Sequence, residues 1–350
     1  MKVAIIGAGI AGLACGLELE RCGVIPDIYE ERYHPGEPYP LAASILDLRL
    51  LGQEPLAYFK KQQLPLRTLQ QIKSIIIHSP HNKLHLKGNL GHWVALGQGD
   101  QSLCSQWQQK LCTSIDIKKS VNYFKIKDQY DWIVLADGSP SIPIMLNLWQ
   151  PDFQVWVRGA SIVGNFNPQQ AEIWLDREFA REGFASLNPL GSQTACLILA
   201  VNGISRQELH DYWNTFTHKI SFNPQATGYF ELEFQTGSVI KHQVDNTLLV
   251  GNAGGFGDMQ FGQGVMMSAL SGVEAARAIV QQDNYEQRIR YLVQTKGKLN
   301  DWQQRLNHLD NRGLDLLLRI VKIPGIRNSS RLIRLMSGVA AGWGNNKENL

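Results

Sequence analysis

The chain lacks the cysteine patterns that stabilise small secreted domains or hold zinc. Its five cysteines are an odd number, and no two of them form a C-x-x-C pair. Disulfide frameworks use an even number of cysteines, and zinc sites usually contain such pairs, so neither feature is indicated. We therefore expect a reducing environment, that of the cytoplasm.

Long apolar runs and an excess of one charge are also missing. No uninterrupted apolar stretch reaches the ~18 residues that a membrane-spanning helix requires. Charged residues make up 19% of the chain and the formal net charge is +3, which does not predict binding of nucleic acid. There are no repeats and no low-complexity linker, and 350 residues suffice for one large or two modest domains.

The first 31 residues do contain a dinucleotide-binding pattern. The apolar run Val3 to Ile6 predicts a buried parallel strand, and a helical stretch follows the glycines Gly7, Gly9 and Gly12. In this pattern the first glycine permits a tight turn and the second lets the backbone approach a pyrophosphate. The third lets the helix pack closely on the strand, while the helix N-terminus directs N–H donors toward the anion.

An acidic residue stands where it would accept hydrogen bonds from a ribose. Glu30 ends a second predicted strand and lies 18 residues after Gly12 (30 − 12), close to the ~20 typical of dinucleotide folds. A carboxylate rather than a basic residue at this place disfavours a 2′-phosphate. FAD or NAD is therefore favoured over NADP.

Elements of two classes alternate along the rest of the chain. Helical spacing occurs at 44–63 and 99–112, and two strands around a turn are predicted at 72–87. Strands dominate 152–245, but apolar runs like that of the first strand return at 131–136 and 246–251. This order predicts a doubly wound α/β domain interleaved with a β-rich substrate domain and followed by a helical C-terminus.

A glycine-rich stretch late in the chain makes the pattern recognisable. Residues 247–272 read TLLVGNAGGFGDMQFGQGVMMSALSG. Together with the first 31 residues and the Ala136-Asp137-Gly138 turn, this stretch resembles the FAD-dependent oxidoreductases of the aromatic hydroxylase superfamily, most closely their geranylgeranyl reductase-like branch. The motifs occur in the same order, and the resemblance covers residues 1 to about 285.

The resemblance implies that the doubly wound part is a Rossmann-like FAD-binding domain. We expect this domain to comprise residues 1–70, 98–150 and 246–285. The β-rich substrate domain would then comprise 71–97 and 151–245, and the C-terminal helices 286–350.

The resemblance also assigns the contacts of FAD. The glycine turn and Glu30 hold the ADP half, Asp137 lies near the pyrophosphate, and the late motif reaches the ribityl chain and the flavin ring. No His or Cys stands in a flavinylation pattern, so FAD is expected to bind noncovalently. The implied FAD-binding residues are Gly7, Gly9, Ile10, Ala11, Gly12, Glu30, Glu31, Gln98, Asp137, Gly138, Gly251, Asn252, Gly262, Gly264 and Val265.

Several positions depart from the family pattern. Asn252 replaces the usual Asp after Gly251, and Gln98 stands where many relatives have an arginine facing the flavin. The cysteine that commonly follows the G-x-P segment is absent after 36–38. An amide keeps a hydrogen bond but not the carboxylate charge, so weaker FAD binding is expected. The segment 183–189, GFASLNP, falls where the reductases have an aromatic-rich segment that lines the substrate cavity.

Few catalytic side chains are required, because a flavin itself carries the electrons. The candidates for donating a proton are Tyr33, His34 and Tyr39, in the loop after Glu30. Asp258 is expected to cap the helix that follows it. No metal site is predicted.

The β-rich insert offers apolar side chains and hardly any clustered cations, which predicts an apolar substrate. The side chains expected around it are Trp156, Phe166, Trp174, Phe184 and Leu187. We predict reduction of an apolar, isoprenoid or lipid substrate. A flavin-dependent monooxygenase of the aromatic hydroxylase type and a non-catalytic or electron-transfer flavoprotein are the alternatives. NAD(P)H or a protein would supply the electrons, because the chain has no second dinucleotide pattern.

The segment 312–336 mixes apolar residues with six Arg or Lys residues and a single acid, Asp315. Basic amphipathic helices of this kind lie on anionic bilayers, or they pack on the main domain with a solvated basic face. The sequence leaves both arrangements open. Peripheral membrane contact is thus an alternative to a wholly cytoplasmic protein.

Overall fold

The computed structural model describes residues 1–37, 42–49, 52–220, 225–258 and 262–322. Two sequence predictions fall outside these residues. They concern Tyr39 and the part of the basic segment from 323 to 336.

The described residues form fourteen strands and eleven α-helices. The strands are β1 (Val3–Ile6), β2 (Asp27–Glu30), β3 (Ala42–Leu46), β4 (Gln70–His78), β5 (Lys83–Ala95), β6 (Ile115–Ile117), β7 (Trp132–Leu135), β8 (Trp149–Val163), β9 (Gln170–Trp174), β10 (Phe184–Pro189), β11 (Thr194–Asn202), β12 (Gln225–Val239), β13 (Gln243–Val244) and β14 (Thr247–Leu249). The helices are α1 (Ile10–Arg21), α2 (Pro55–Lys61), α3 (Leu103–Gln108), α4 (Tyr123–Ile126), α5 (Ser141–Met145), α6 (Arg177–Ala180), α7 (Leu209–Lys219), α8 (Gly264–Gln281), α9 (Tyr285–Arg288), α10 (Arg290–Asn307) and α11 (Asn311–Val321).

A six-stranded sheet carries the dinucleotide pattern. Its strand order is β13-β14-β7-β1-β2-β6, and β1 pairs in parallel with both β2 and β7. All four residues of β1 are buried, as the apolar run predicts. The chain moves from β1 to β2 on one side and reaches β7 on the other, so the strand order reverses beside β1. Doubly wound sheets bind their ligands at this switch point, beyond the carboxyl ends of the strands.

A larger sheet of eight strands lies in the order β12-β8-β11-β10-β9-β4-β5-β3. The hairpin of β4 and β5 confirms the two strands predicted at 72–87. The smaller sheet draws on 3–30, 115–135 and 243–249, and the larger sheet on 42–95 and 149–239. The predicted interleaving is therefore confirmed, whereas the individual domain boundaries stay a prediction.

The helix predicted over 44–63 is wrong in its first part. Residues Ala42–Leu46 form β3, which pairs antiparallel with β5 in the larger sheet. The helix begins only at Pro55, where the side chain of Glu54 accepts hydrogen bonds from the N–H groups of Leu56 and Ala57. A proline at the first helical position and an acceptor before it mark a helix start. These signals outweigh the apolar spacing of the preceding residues.

The C-terminal helices are bound to the larger sheet through polar contacts. Arg177, at the start of α6, donates to the backbone carbonyls of Leu306 and Leu309 at 2.6 and 2.8 Å. Asp315 in α11 accepts from the hydroxyl of Ser79 at 2.5 Å and from the N–H of His81 at 3.0 Å. Among the described helices, none is both long and apolar enough to cross a bilayer.

We predict that Asp315→Ala lowers the free energy of unfolding by about 1–3 kcal/mol, because it removes the 2.5 Å acceptor of the buried Ser79 hydroxyl and leaves only the carbonyl oxygen of Asn82 at 3.3 Å. Burial opposes ionisation of Asp315, but hydrogen bonds from Ser79 and His81 outweigh it and lower its pKa. Asp315 therefore stabilises the protein at pH values above the pKa that its carboxyl has in the unfolded chain. This stabilisation is lost as the pH falls through the lower pKa that the carboxyl has in the folded protein. Denaturant unfolding at pH 7 and pH 3 measures this. Equal stability of Asp315→Ala and of the exposed control Asp301→Ala would contradict it.

Candidate active site

The turn after β1 is built from backbone that tolerates no side chains. Gly7 has φ +100°, and a Cβ there would lie 2.5 Å from the carbonyl oxygen of Ala136. A Cβ at Gly12 would overlap the carbonyl oxygen of Gly7. The first helix and strand therefore pack backbone against backbone, as the glycine pattern predicts.

Gly9 is different, because a Cβ there would meet nothing within 4 Å. It precedes the first residue of α1 and lines a large cavity, together with Ile10 and Ala11. The open space above Gly9 and the N-terminus of a twelve-residue helix are the features that a pyrophosphate needs. The fit to a dinucleotide thus rests on both the shape and the polarity of this turn.

Glu30 ends β2 and reaches the same cavity. Its side chain is buried, and its two oxygens accept from the N–H groups of Ala8 and Arg32, both at 2.9 Å. Each carboxylate oxygen has a second lone pair, so Glu30 still has acceptor capacity for ribose hydroxyls. Glu31 also lines the cavity. Binding of the ribose by these residues stays a prediction.

Asp137 follows β7 and adds a titratable carboxyl to the cavity wall. Asp137 is exposed within the cavity, and partial desolvation by the cavity walls raises its pKa to about 7, with the negative charge of Glu31 contributing in the same direction. The group consequently changes charge near neutral pH, at the place where the resemblance puts the pyrophosphate.

Asn252 connects three segments of the site. Its Nδ2 donates to the carbonyl oxygens of Gly138 at 2.8 Å and of Gln235 at 3.3 Å. An aspartate could not donate to these carbonyls, so the departure from the family pattern has a structural role here. The Oδ1 of Asn252 is buried without a hydrogen-bond partner among the described residues, against Gly257. A bound molecule that donates to this oxygen would remove the cost of burying it unpaired.

The late glycine motif closes the same end of the cavity. Gly251, Gly262, Gly264 and Val265 all line it. Asp258 accepts a hydrogen bond at 2.7 Å from the N–H of Gln263, the N-cap residue of α8, so it fixes the loop before this helix and does not cap the helix as predicted. Residues 259–261 lie outside the described part.

One cavity of about 1120 Å³ joins these motifs to the larger sheet. Small-molecule pockets typically measure roughly 300–1,000 Å³, so the space exceeds that of one small ligand. Its far wall is apolar and comes from β4 and β5 through Ile72, Ile75, Ile77, Leu86, Leu90 and Trp93. Among the described residues, β4, β5 and β9 contribute no charged side chain to this wall. A polar end and an apolar end therefore share one space.

The prediction for the aromatic residues of the insert is largely wrong. Of the five apolar residues expected around the substrate, Phe184 alone lines the cavity. The other four pack on the opposite face of the larger sheet, in the cluster beneath α7: Trp156, Phe166, Trp174 and Leu187. Side chains alternate between the faces of a strand, so neighbours such as Trp156 and Val157 point to opposite sides, and Val157 lines the cavity.

Three predicted residues lie away from the cavity wall. Tyr33 is 65% exposed beneath the ammonium group of Lys118, and His34 is exposed beside it. Gln98 donates to the carboxylate of Glu37 at 2.5 Å and does not line the cavity. The first two are therefore placed in a solvated loop rather than where a proton donor would act. Gly12 is not a lining residue either, because it packs beneath the turn.

Sequence reasoning missed several residues of the wall. Ser44 in β3 and Cys104 in α3 both line the cavity. The segment 183–189 was placed correctly, but its lining residues include Ser186 and Asn188 as well as Phe184. Side chains two residues apart in a strand lie on the same face, so Phe184 as a lining residue predicts that Ser186 and Asn188 also line the cavity.

Solved structures share the fold over nearly the whole chain, although no family model and no curated protein sequence matches it. A geranylgeranyl bacteriochlorophyll reductase-like protein from Thermoplasma acidophilum has a TM-score of 0.74 and 16% identity over 98% of this chain and 96% of its own. A flavoprotein/dehydrogenase from Cytophaga hutchinsonii has a TM-score of 0.72 and 14% identity over 98% and 94%. The p-nitrophenol 4-monooxygenase from Pseudomonas putida has a TM-score of 0.68 and 12% identity over 96% and 95%.

The chain thus shares its fold with a reductase-like protein, a flavoprotein/dehydrogenase and a monooxygenase. At 12–16% identity the likeness extends to the fold and leaves the reaction open. Reductases, dehydrogenases and monooxygenases place different chemistry on it. The reaction must therefore be argued from the side chains of this chain.

We predict that Gly9→Ala leaves the unfolding transition unchanged but weakens FAD binding about tenfold, because its methyl group enters the open space above α1. Gly12→Ala should instead lower the free energy of unfolding by about 1–3 kcal/mol, because its methyl group overlaps the Gly7 carbonyl. FAD titration and denaturant unfolding of both variants separate the two effects. Equal FAD affinity of wild type and folded Gly9→Ala would contradict the cofactor assignment.

We further predict that FAD binds about threefold to tenfold more weakly at pH 8 than at pH 6. Asp137 is largely protonated below its pKa of about 7 and negative above it, where it repels a diphosphate. Asp137→Asn should flatten this dependence, whereas the exposed control Asp128→Asn should retain it. Fluorescence titration of FAD across the pH range measures the effect. A pH dependence unchanged in Asp137→Asn would assign it to another group.

Proposed function

We propose that the protein is an FAD-dependent oxidoreductase. The observation that carries this proposal is a single cavity that runs from Gly9 and Glu30 to the apolar wall of the larger sheet. Dinucleotide-binding features and a separate apolar chamber in one space are what a flavin enzyme needs to bring a substrate to its cofactor.

The residues present fit a noncovalently bound FAD. The turn at Gly9 would hold the pyrophosphate, Glu30 would accept hydrogen bonds from the ribose, and the motif from Gly251 to Val265 would border the flavin end. Cys104 lines the cavity, but burial raises its pKa to about 12, so it remains a neutral thiol of low nucleophilicity. No histidine occurs among the described residues that line the cavity. Bound FAD would supply two-electron transfer, and the chain would bind, orient and shield the reactants.

The reaction that the cavity favours is reduction of an apolar substrate. The walls from β4, β5 and β9 would exclude water and hold apolar groups without a charged anchor. NAD(P)H or a protein would deliver the electrons. A flavin-dependent monooxygenase acting on an aromatic substrate uses the same apolar space, as does a flavoprotein that only transfers electrons, so the experiment must separate the three.

We predict that the purified protein binds FAD and releases it on acid precipitation. After anaerobic photoreduction, polyprenyl compounds should reoxidise the flavin without oxygen, and they should accelerate reoxidation over buffer by at least about tenfold. Absorbance near 450 nm follows the flavin. Oxygen uptake stimulated by small phenols, with no anaerobic reoxidation by polyprenyl compounds, would assign the monooxygenase reaction. Reoxidation only by protein electron acceptors would assign electron transfer.

We also propose peripheral contact with an anionic membrane through the outer face of α11. Leu316 and Ile320 are 57% and 44% exposed, beside the exposed Arg312 and Arg319. The single acid of this helix, Asp315, points inward and accepts hydrogen bonds from the Ser79 hydroxyl and the His81 N–H. The outer face therefore combines apolar and basic groups without a carboxylate, which suits an anionic interface. The inner face packs Leu318 and Val321 into the cluster that also walls the apolar end of the cavity.

The double variant Leu316→Ser, Ile320→Ser should lose at least about tenfold in binding to anionic liposomes, because serine removes the inserting groups. Val293→Ser, which changes a 40% exposed residue of α10, is the matched control and should bind like wild type. Co-sedimentation with anionic and neutral vesicles measures this. If both variants bind anionic liposomes equally well, α11 does not contact the membrane.

A further inference from the structure

Strand β10 presents polar side chains to the apolar cavity. Phe184, Ser186 and Asn188 line the cavity, whereas Ala185 and Leu187 belong to the cluster on the opposite face. The alternation of a β-strand requires this division. Two hydrogen-bonding side chains therefore face the chamber in which an apolar substrate would lie.

Ser186 is surrounded by apolar wall. In the sheet it pairs with Ile198 of β11 on one side and with Ile173 of β9 on the other, and both isoleucines line the cavity. Its side chain is only 4% exposed. Within the described part of the chain, no residue forms a hydrogen bond with the Ser186 hydroxyl. The hydroxyl can therefore pair with a molecule bound in the cavity.

Asn188 is almost as poorly satisfied. Its Nδ2 donates to the carbonyl oxygen of Ala42 at 3.4 Å, which is at the outer limit for a hydrogen bond. The Oδ1 of Asn188 has no hydrogen bond to the described residues. The pair thus offers a hydroxyl, an amide oxygen and a weakly engaged amide N–H to the cavity.

The position of the pair relates it to the flavin end. The contact with Ala42 places Asn188 beside β3, and the same strand reaches the late glycine motif through Ser44. A Cβ at Gly262 would lie 2.5 Å from the Ser44 hydroxyl oxygen, so these segments touch. The pair therefore lies in the part of the chamber that borders the late motif rather than at the hairpin of β4 and β5.

We propose that Ser186 and Asn188 are specificity-determining residues that bind an uncharged hydrogen-bonding group, a carbonyl or hydroxyl, of an otherwise apolar substrate. This inference rests on the proposed function for the role of the bound molecule. Neither side chain carries a charge, and the adjoining strand β9 adds Ala171 and Ile173 beside the pair, followed by Leu175 just after the strand. A charged headgroup would find no counterion there, whereas a carbonyl or hydroxyl would find both donor and acceptor.

The test uses two aromatic probes of nearly the same shape, 2-acetylnaphthalene and 2-isopropylnaphthalene, which differ in one carbonyl. Isothermal titration of the FAD-saturated protein should show at least about tenfold tighter binding of the acetyl compound. Ser186→Ala and Asn188→Leu should each reduce this preference several-fold, and the double variant should abolish it with affinity for the isopropyl compound retained. The control Ser192→Ala, in an exposed turn, should keep the wild-type preference.

A second readout does not depend on the probes. Because Ser186 has no hydrogen bond to the described residues, Ser186→Ala should leave the thermal unfolding midpoint unchanged or raise it. A lowered midpoint would reveal a structural partner and overturn the proposal. So would equal affinity of wild type for both probes, or a preference that survives in the double variant.

The same titration on protein without FAD separates this inference from the proposed function. A preference for the acetyl compound in a protein that refuses FAD would support the specificity pair and refute the flavoenzyme. FAD binding without any preference for the acetyl compound would support the flavoenzyme and refute the specificity pair.

Discussion

The contact between backbone atoms around Gly12 sets the geometry on which the site depends. A Cβ at Gly12 would overlap the carbonyl oxygen of Gly7, and a Cβ at Gly272 would overlap that of Ala11. The first contact presses α1 onto the turn after β1, and the second presses α8 onto α1. α8 begins at the late motif. The close contacts at Gly12 and Gly272 therefore bring two segments that are far apart in the sequence to the same switch point.

The second constraint is the alternation of side chains in the larger sheet. One face of β8, β10 and β11 packs under α7, and the other forms the cavity wall. Large aromatic residues such as Trp156 stabilise the first face and do not reach the substrate space. The second face carries Val157, Ile198 and the polar exceptions Ser186 and Asn188. Under the proposed role of Ser186 and Asn188, specificity depends on a few polar positions in an apolar wall.

Charge is concentrated at the other end of the same cavity. Glu30 is fixed by backbone N–H groups, whereas Asp137 titrates near neutral pH. Asn252 joins the turn of Asp137 and Gly138 to β12 through donors that an aspartate would lack. Solved reductases and monooxygenases share the fold at low identity, so such local side chains carry the information about cofactor and reaction that the fold does not.

The doubly wound core can be predicted from short stretches of the amino-acid sequence. The glycines of the first turn and the apolar runs of β1, β7 and β14 obey local rules of backbone sterics and burial, which short stretches of sequence express. Interleaving of the two sheets followed from the order of these runs. Tertiary packing determines which aromatic residues face the cavity, because a shift of one residue along a strand reverses the face. It also determines that Ala42–Leu46 joins the larger sheet, that Gln98 and His34 lie outside the cavity, and that Ser186 faces it, since each depends on partners distant in the sequence.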